Sequence, residues 1–188
     1  MIITISGKSC TGKTTVAKGL ADDLQVPFFS VGNYYRENKQ STSDAGVDKA
    51  LDGKVEEFMK KENNMVLEGR MAGYILEKMR RTGYAQGISV YLTLGFHGQI
   101  ERFMKRSGAD DLQYAVLSTI ERDKADRNRL LNAYGVDVFN HGLYDLVIDS
   151  SDKSPERIKN IIKQSIYNKG ETNDRHEKTT NRYQGASL

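Results

Sequence analysis

The chain of 188 residues contains one cysteine, two prolines and no tryptophan. A single cysteine, Cys10, excludes an intramolecular disulfide and a thiolate metal cage. The three histidines, His97, His141 and His176, are far apart in sequence and do not form a ligand spacing. No apolar run approaches the roughly 20 residues that a bilayer-spanning helix needs. The amino terminus, Met1-Ile-Ile-Thr-Ile-Ser-Gly7, has no basic lead-in and no long apolar stretch before a cleavage site. It does not read as a signal peptide, and a cytoplasmic location is expected. A formal net charge of +3 is too small to argue for nucleic-acid binding.

What is present is an ordinary globular composition, 38% hydrophobic and 28% charged. The length suits one core, so a single domain is expected over residues 1–168. From Gly170 the chain reads GETNDRHEKTTNRYQGASL, polar and poor in core-forming residues, which predicts a disordered tail over 169–188.

Apolar spacing orders the rest. Met1 to Ser6 predicts a buried strand that enters a loop at Gly7, and Val16, Ala17, Leu20 and Leu24 recur at helical spacing from about Lys13. Val26–Phe29, Met65–Leu67, Ile88–Leu94 and Leu146–Ile148 predict four more strands. Ala50, Leu51, Val55, Phe58 and Met59 predict a helix over 47–61, and Ala72, Ile75, Leu76 and Met79 another, ended by Gly83. The stretch 98–131 reads as largely helical and 34–46 gives no clear pattern, while Pro155 opens a closing helix that carries Ile158, Ile161, Ile162 and Ile166. Such alternation predicts an α/β domain built of right-handed βαβ units, with a parallel sheet covered by helices on both faces. Ligands then bind at the carboxyl ends of the strands.

Gly7-Lys8-Ser9-Cys10-Thr11-Gly12-Lys13-Thr14 meets the spacing of a phosphate loop, with Thr15 following it. Backbone N–H groups and the helix amino terminus would cradle phosphate oxygens, Lys13 would reach the β- and γ-phosphates, and the Thr14 hydroxyl would ligate Mg²⁺. A glycine-rich turn can fit such a pattern by accident. Here predicted strand, loop and helix coincide, which favours a P-loop NTPase fold.

A phosphate loop alone does not separate kinases from GTPases and ATPases. No Asn-Lys-x-Asp element follows the fourth predicted strand to read guanine. Arginines cluster instead. Arg36 follows the second strand, and Arg70 stands directly after Met65-Val-Leu-Glu-Gly. Arg102 and Arg106 precede the run Arg122-Asp-Lys-Ala-Asp126-Arg127-Asn-Arg129. A guanidinium pairs bidentately with phosphate oxygens and never loses its charge, so Arg102 and Arg106 are expected at the ATP phosphates. Arg127 is balanced against the solvated face of a helix, Asp48 and Asp52 against plain surface charge, and Phe28 and Phe29 read as core. Cys10 reads as a small loop residue in a setting that could lower a thiol pKa.

The chain resembles the cytidylate kinases, most closely their short archaeal-type branch, from Met1 to about Ile166. Beyond the phosphate loop the resemblance rests on Ser30-Val-Gly-Asn-Tyr-Tyr-Arg36, Val47-Asp48-Lys-Ala-Leu-Asp52, Val66-Leu-Glu68-Gly-Arg70-Met-Ala-Gly73, Tyr134-Gly-Val-Asp137 and Tyr144-Asp-Leu-Val-Ile148. It implies a P-loop kinase with an NMP-binding insertion at about 30–62 and a LID insertion at about 107–132. It further implies transfer of the γ-phosphate of ATP to CMP or dCMP with Mg²⁺. Ser30 and Arg36 would lie near the acceptor phosphate, Asp48 and Arg70 near the acceptor nucleotide, and Glu68 would organise water around the metal. Arg122, Asp126 and Arg129 match the lid residues that approach the acceptor, and with Lys13 the two arginines would act during transfer. Two departures bear on the acceptor: the segment after Arg36 is short and polar, and Leu130 replaces the branch's usual Tyr. A monomer is expected. The alternatives are a kinase of another acceptor, such as AMP, UMP or a small metabolite, and a nucleotide-dependent RNA-binding module. The arginine segment lacks the interleaved aromatics of an RNA stacking surface, which disfavours the second.

Overall fold

Strands β1 (Ile2–Gly7), β2 (Phe28–Ser30), β3 (Met65–Glu68), β4 (Gly87–Thr93) and β5 (Leu146–Asp149) form one parallel sheet in the order β2-β3-β1-β4-β5. The computed structural model describes residues 1–37 and 45–168, with no side chains for 45–49. The helices are α1 (Lys13–Leu24), α2 (Val31–Glu37), α3 (Ala45–Lys61), α4 (Ala72–Arg81), α5 (Phe96–Ser107), α6 (Leu112–Tyr134) and α7, residues 155–168. The tail expected over 169–188 lies outside the described residues. No helix among the described residues is long and apolar enough to cross a membrane.

β1 is central, with Ile2 beside both Met65 and Gly87, and all six of its residues are buried. Its alternation decides which helices cover which face. Ile2, with Met65 and Leu67, joins the cluster formed by α3, α4 and part of α6. Ile3 and Ile5, with Val66, Val90 and Leu92, join the cluster formed by α1 and by Ile158 and Ile162 of α7. Ser6 faces α4: its hydroxyl donates to Gly69 O at 3.0 Å and accepts from Gly73 N at 3.1 Å. Gly73 permits that approach, because a Cβ there would lie 2.5 Å from the Tyr144 ring.

Three elements differ from expectation, each for a local reason. Val26 N bonds Ala21 O at 3.1 Å and so belongs to the turn ending α1; β2 therefore starts at Phe28, not Val26. Residues 31–37 are helical because Ser30 Oγ accepts from Asn33 N at 3.1 Å, capping a helix too short to show an apolar period. The helical stretch 98–131 is two helices. Gly108, at φ 70, closes α5, and Asp111 opens α6 by accepting from the backbone of Gln113 and Tyr114.

Candidate active site

The loop between β1 and α1 wraps the carboxyl end of the central strand. Gly7 has φ 143, and a Cβ there would sit 2.4 Å from Leu92 O, so the bend requires glycine. Thr11 Oγ1 donates to Lys8 O at 3.0 Å, and Lys13 Nζ donates to the same oxygen at 2.5 Å. Burial lowers the Lys13 pKa from 10.5 to about 8, and the nearby Glu68 carboxylate opposes that shift.

Glu68 ends β3 beside this loop and is 3% exposed. Its Oε1 accepts from Ser30 at 2.5 Å and from Thr14 at 3.1 Å, so strand β2, strand β3 and helix α1 meet at one carboxylate. Arg70 follows two residues later. One of its nitrogens donates to Ser9 Oγ at 3.1 Å and lies 2.5 Å from Asp126 of α6. Asp126 also pairs with Arg129 at 2.9 Å and is 4% exposed. Burial pushes the Arg70 pKa down and Asp126 pushes it up. Arg102 of α5 donates to Ser150 O at 2.8 Å and approaches Cys10 O at 3.4 Å, which ties α5 and the β5–α7 loop to the phosphate loop. Lys8 reaches Asp123 of α6 at 3.3 Å, and Gln99 of α5 donates to the same oxygen at 3.0 Å.

A cleft of about 860 Å³ opens over these groups. Of the residues singled out in the sequence, Ser9, Cys10, Gly12, Lys13, Thr14, Thr15, Arg36, Glu68, Arg70, Arg102, Arg106, Arg122 and Arg129 line it. Arginines from α2, from the end of β3, from α5 and from α6 thus converge, although up to 93 positions separate them, from Arg36 to Arg129. Gly7, Lys8 and Thr11 shape the loop from behind. Ser30 is buried under Glu68, and Asp126 stands behind Arg70 and Arg129 as their counter-ion. Arg127 pairs with Asp137 at 2.5 Å on the exposed side of α6, in keeping with a solvated helix face. The Asp48 side chain lies outside the described residues.

The apolar part of the cleft is only half legible in the sequence, where Leu130 bears on the acceptor and Asp52 stands balanced between site residue and surface charge. Val31, Tyr35, Met71, Ile75 and Leu130 give the cleft an apolar wall, and Asp52 of α3 adds a carboxylate that accepts a hydrogen bond from Tyr134 OH at the end of α6. Asp52 and Tyr134 are 82 residues apart, so their contact has no local sequence signal.

The chain matches the cytidylate kinase-like family over residues 30–152. It is 31% identical over 180 residues to a cytidylate kinase of Methanocaldococcus jannaschii, spanning 89% of this chain and 98% of the relative. A cytidylate kinase of Sulfurisphaera tokodaii is 30% identical over 176 residues, covering 86% of this chain and 93% of its own length. Among solved structures, an uncharacterized protein from Eubacterium ventriosum superposes with a TM-score of 0.68 at 22% identity, over 88% of this chain and 98% of that one. Shikimate kinase from Aquifex aeolicus gives 0.56 at 20% identity, over 90% and 98%. These two show the fold alone, a parallel α/β architecture.

Proposed function

The chain belongs to the cytidylate kinase-like family, and we propose that it transfers the γ-phosphate of ATP to CMP or dCMP, giving the diphosphate and ADP. One observation carries this reading. Lys13 and six arginines line a cleft that also holds the phosphate loop, an apolar wall and the Asp52 carboxylate. Such a site suits two nucleotides whose phosphates meet in the middle and whose acceptor base points away from the loop.

The acceptor phosphate oxygen attacks the γ-phosphorus in line, the bond to the β-bridging oxygen breaks, and ADP departs. No covalent enzyme intermediate is needed. Ser9 to Thr15 hold the triphosphate through backbone N–H groups, and Lys13 follows the γ-phosphate as its bonding changes. Arg36 and Arg70 hold the acceptor phosphate. Arg102, Arg106, Arg122 and Arg129 neutralise charge spread over the transferring group. Asp126 acts through Arg70 and Arg129, keeping both guanidinium groups aimed into the cleft. The α5–α6 turn and much of α6 form the lid over 107–132, whose closure excludes water and suppresses ATP hydrolysis.

The residues present suit a hard divalent cation: the Thr14 hydroxyl and the buried Glu68 carboxylate converge beside Lys13. Thr14 would bind Mg²⁺ directly and Glu68 through water. When bound, the ion would supply neutralisation of phosphate charge. We further read the protein as a cytoplasmic monomer.

The test is direct. The protein is incubated with Mg·ATP and separately with CMP, dCMP, UMP, AMP or GMP, and ADP is measured. Strong ADP formation with CMP or dCMP is expected. Background ADP with every acceptor overturns the reading, and preference for AMP or UMP moves the acceptor while keeping the reaction.

A further inference from the structure

The cleft is lined by two acidic side chains, and their surroundings assign them different work. Glu68 sits at the phosphate end, fixed by Thr14 and Ser30. Asp52 sits where the wall is apolar, on α3, and Tyr134 OH donates to it. A carboxylate accepts hydrogen bonds and repels phosphate, so Asp52 does not serve the transferring groups; it calls for a donor on the part of the acceptor that carries no charge.

We propose that Asp52, aimed by Tyr134, reads the acceptor base by accepting a hydrogen bond from the 4-amino group of cytosine. This deepens the pyrimidine-monophosphate reading above and rests on it. Cytosine and uracil differ at that edge: one presents an N–H donor and the other a carbonyl acceptor. Against a fixed carboxylate the first is attracted and the second repelled, which makes discrimination stronger than a neutral contact would.

Packing supports the assignment. Tyr35, Met71, Ile75 and Leu130 are buried members of the core cluster that also contains Leu51, the neighbour of Asp52 on α3. They offer a flat ring a largely apolar wall. Tyr134 is itself held, its ring set edge-on to Tyr74 with centroids 6.1 Å apart and planes at 65°. The hydroxyl therefore arrives from an oriented side chain and fixes the carboxylate before the base enters.

The experiment measures kcat/KM at saturating Mg·ATP for CMP, UMP and the 5′-phosphate of pyrimidin-2-one riboside, which carries hydrogen at position 4. The full chain is compared with Asp52→Asn and Tyr134→Phe. Wild type should prefer CMP over both analogues. Asp52→Asn should lower the CMP-to-UMP ratio about ten- to a hundredfold, because a charge-assisted hydrogen bond is lost and the amide can donate to a 4-oxo group. Tyr134→Phe should lower the ratio in the same direction by a few fold. If Asp52→Asn turns over CMP with an unchanged ratio, or wild type uses the pyrimidinone as well as CMP, the base-reading role fails and phosphotransfer stands. If Asp52→Asn does not fold, an unchanged ratio in Tyr134→Phe overturns the proposal. Absence of turnover by wild type on every nucleotide sinks the kinase reading itself.

Discussion

Lys13 combines two demands in one side chain. Burial holds its pKa at about 8, well below the usual lysine value, yet the phosphate-binding role proposed for it needs the charged form. Free enzyme loses that charge as pH rises through about 8, whereas bound polyphosphate favours protonation. The kcat/KM for ATP should therefore decline above about pH 8, with the corresponding limb of kcat displaced to higher pH. Because the folded pKa is lowered, the group opposes folding below about 8 and ceases to do so as pH approaches 10.5. Lys13→Met should thus abolish turnover without lowering the melting temperature at pH 7. A marked destabilisation would show that Lys13 supports the loop instead of straining it.

Arg129 and Asp126 provide a second contrast. Arg129→Ala leaves Asp126 paired with Arg70 and removes one donor to developing charge, so the loss should fall on turnover, about a hundred- to a thousandfold, with ATP affinity nearly kept. Asp126→Asn instead strips the counter-ion from two poorly exposed guanidinium groups. Breaking such a pair costs about 3 to 5 kcal/mol, so its melting temperature should drop well below that of Arg129→Ala. Nucleotide should recover part of the drop, since phosphate replaces the missing carboxylate. Equal melting temperatures for the two variants would contradict the counter-ion role. Arg70 was legible in the sequence because a guanidinium has few reasons to follow a strand end, and Arg129 because it closes a run of arginines. Asp126 was legible as a site residue, but its place behind the arginines needed the fold.

Among the elements, those with a full apolar period were readable and those fixed by single capping contacts were not. β1, α1 and α4 declare themselves by burial pattern. Helix α2 rests on one hydroxyl and one N–H, and the break between α5 and α6 rests on Gly108 and Asp111. The contact of α4 with β1 is the most testable of the element-scale features. Gly73→Ala would drive a methyl toward Tyr144 and push α4 away from Ser6, costing about 1 to 3 kcal/mol. Arg70 lies three residues before Gly73, so acceptor KM should rise with the same substitution. The denaturation midpoint and steady-state kinetics check both effects, and an unchanged KM would mean that Arg70 is placed by β3 alone.

Across the whole molecule, the strand order puts the phosphate loop at the middle of the sheet, between one helical layer of α1 and α7 and another of α3, α4 and part of α6. α3 and α6 meet across the cleft only once the sheet is assembled, and so the Asp52–Tyr134 contact left no trace in local sequence.

The convergence of cations also shapes the encounter with nucleotides. Seven cationic side chains face two carboxylates in the cleft, a larger excess than the +3 of the entire chain, so the rest of the molecule is close to neutral or acidic. The field is accordingly aimed: low-dielectric walls concentrate it at the mouth, where it draws in polyanions and orients them phosphate first. Raising ionic strength from about 0.01 M to about 0.15 M shortens the screening length from roughly 30 to 8 Å, which should slow ATP capture several fold while leaving its escape rate nearly constant. Stopped-flow measurement of both rates would register that asymmetry. Equal sensitivity of capture and escape would mean that the arginines act only after contact.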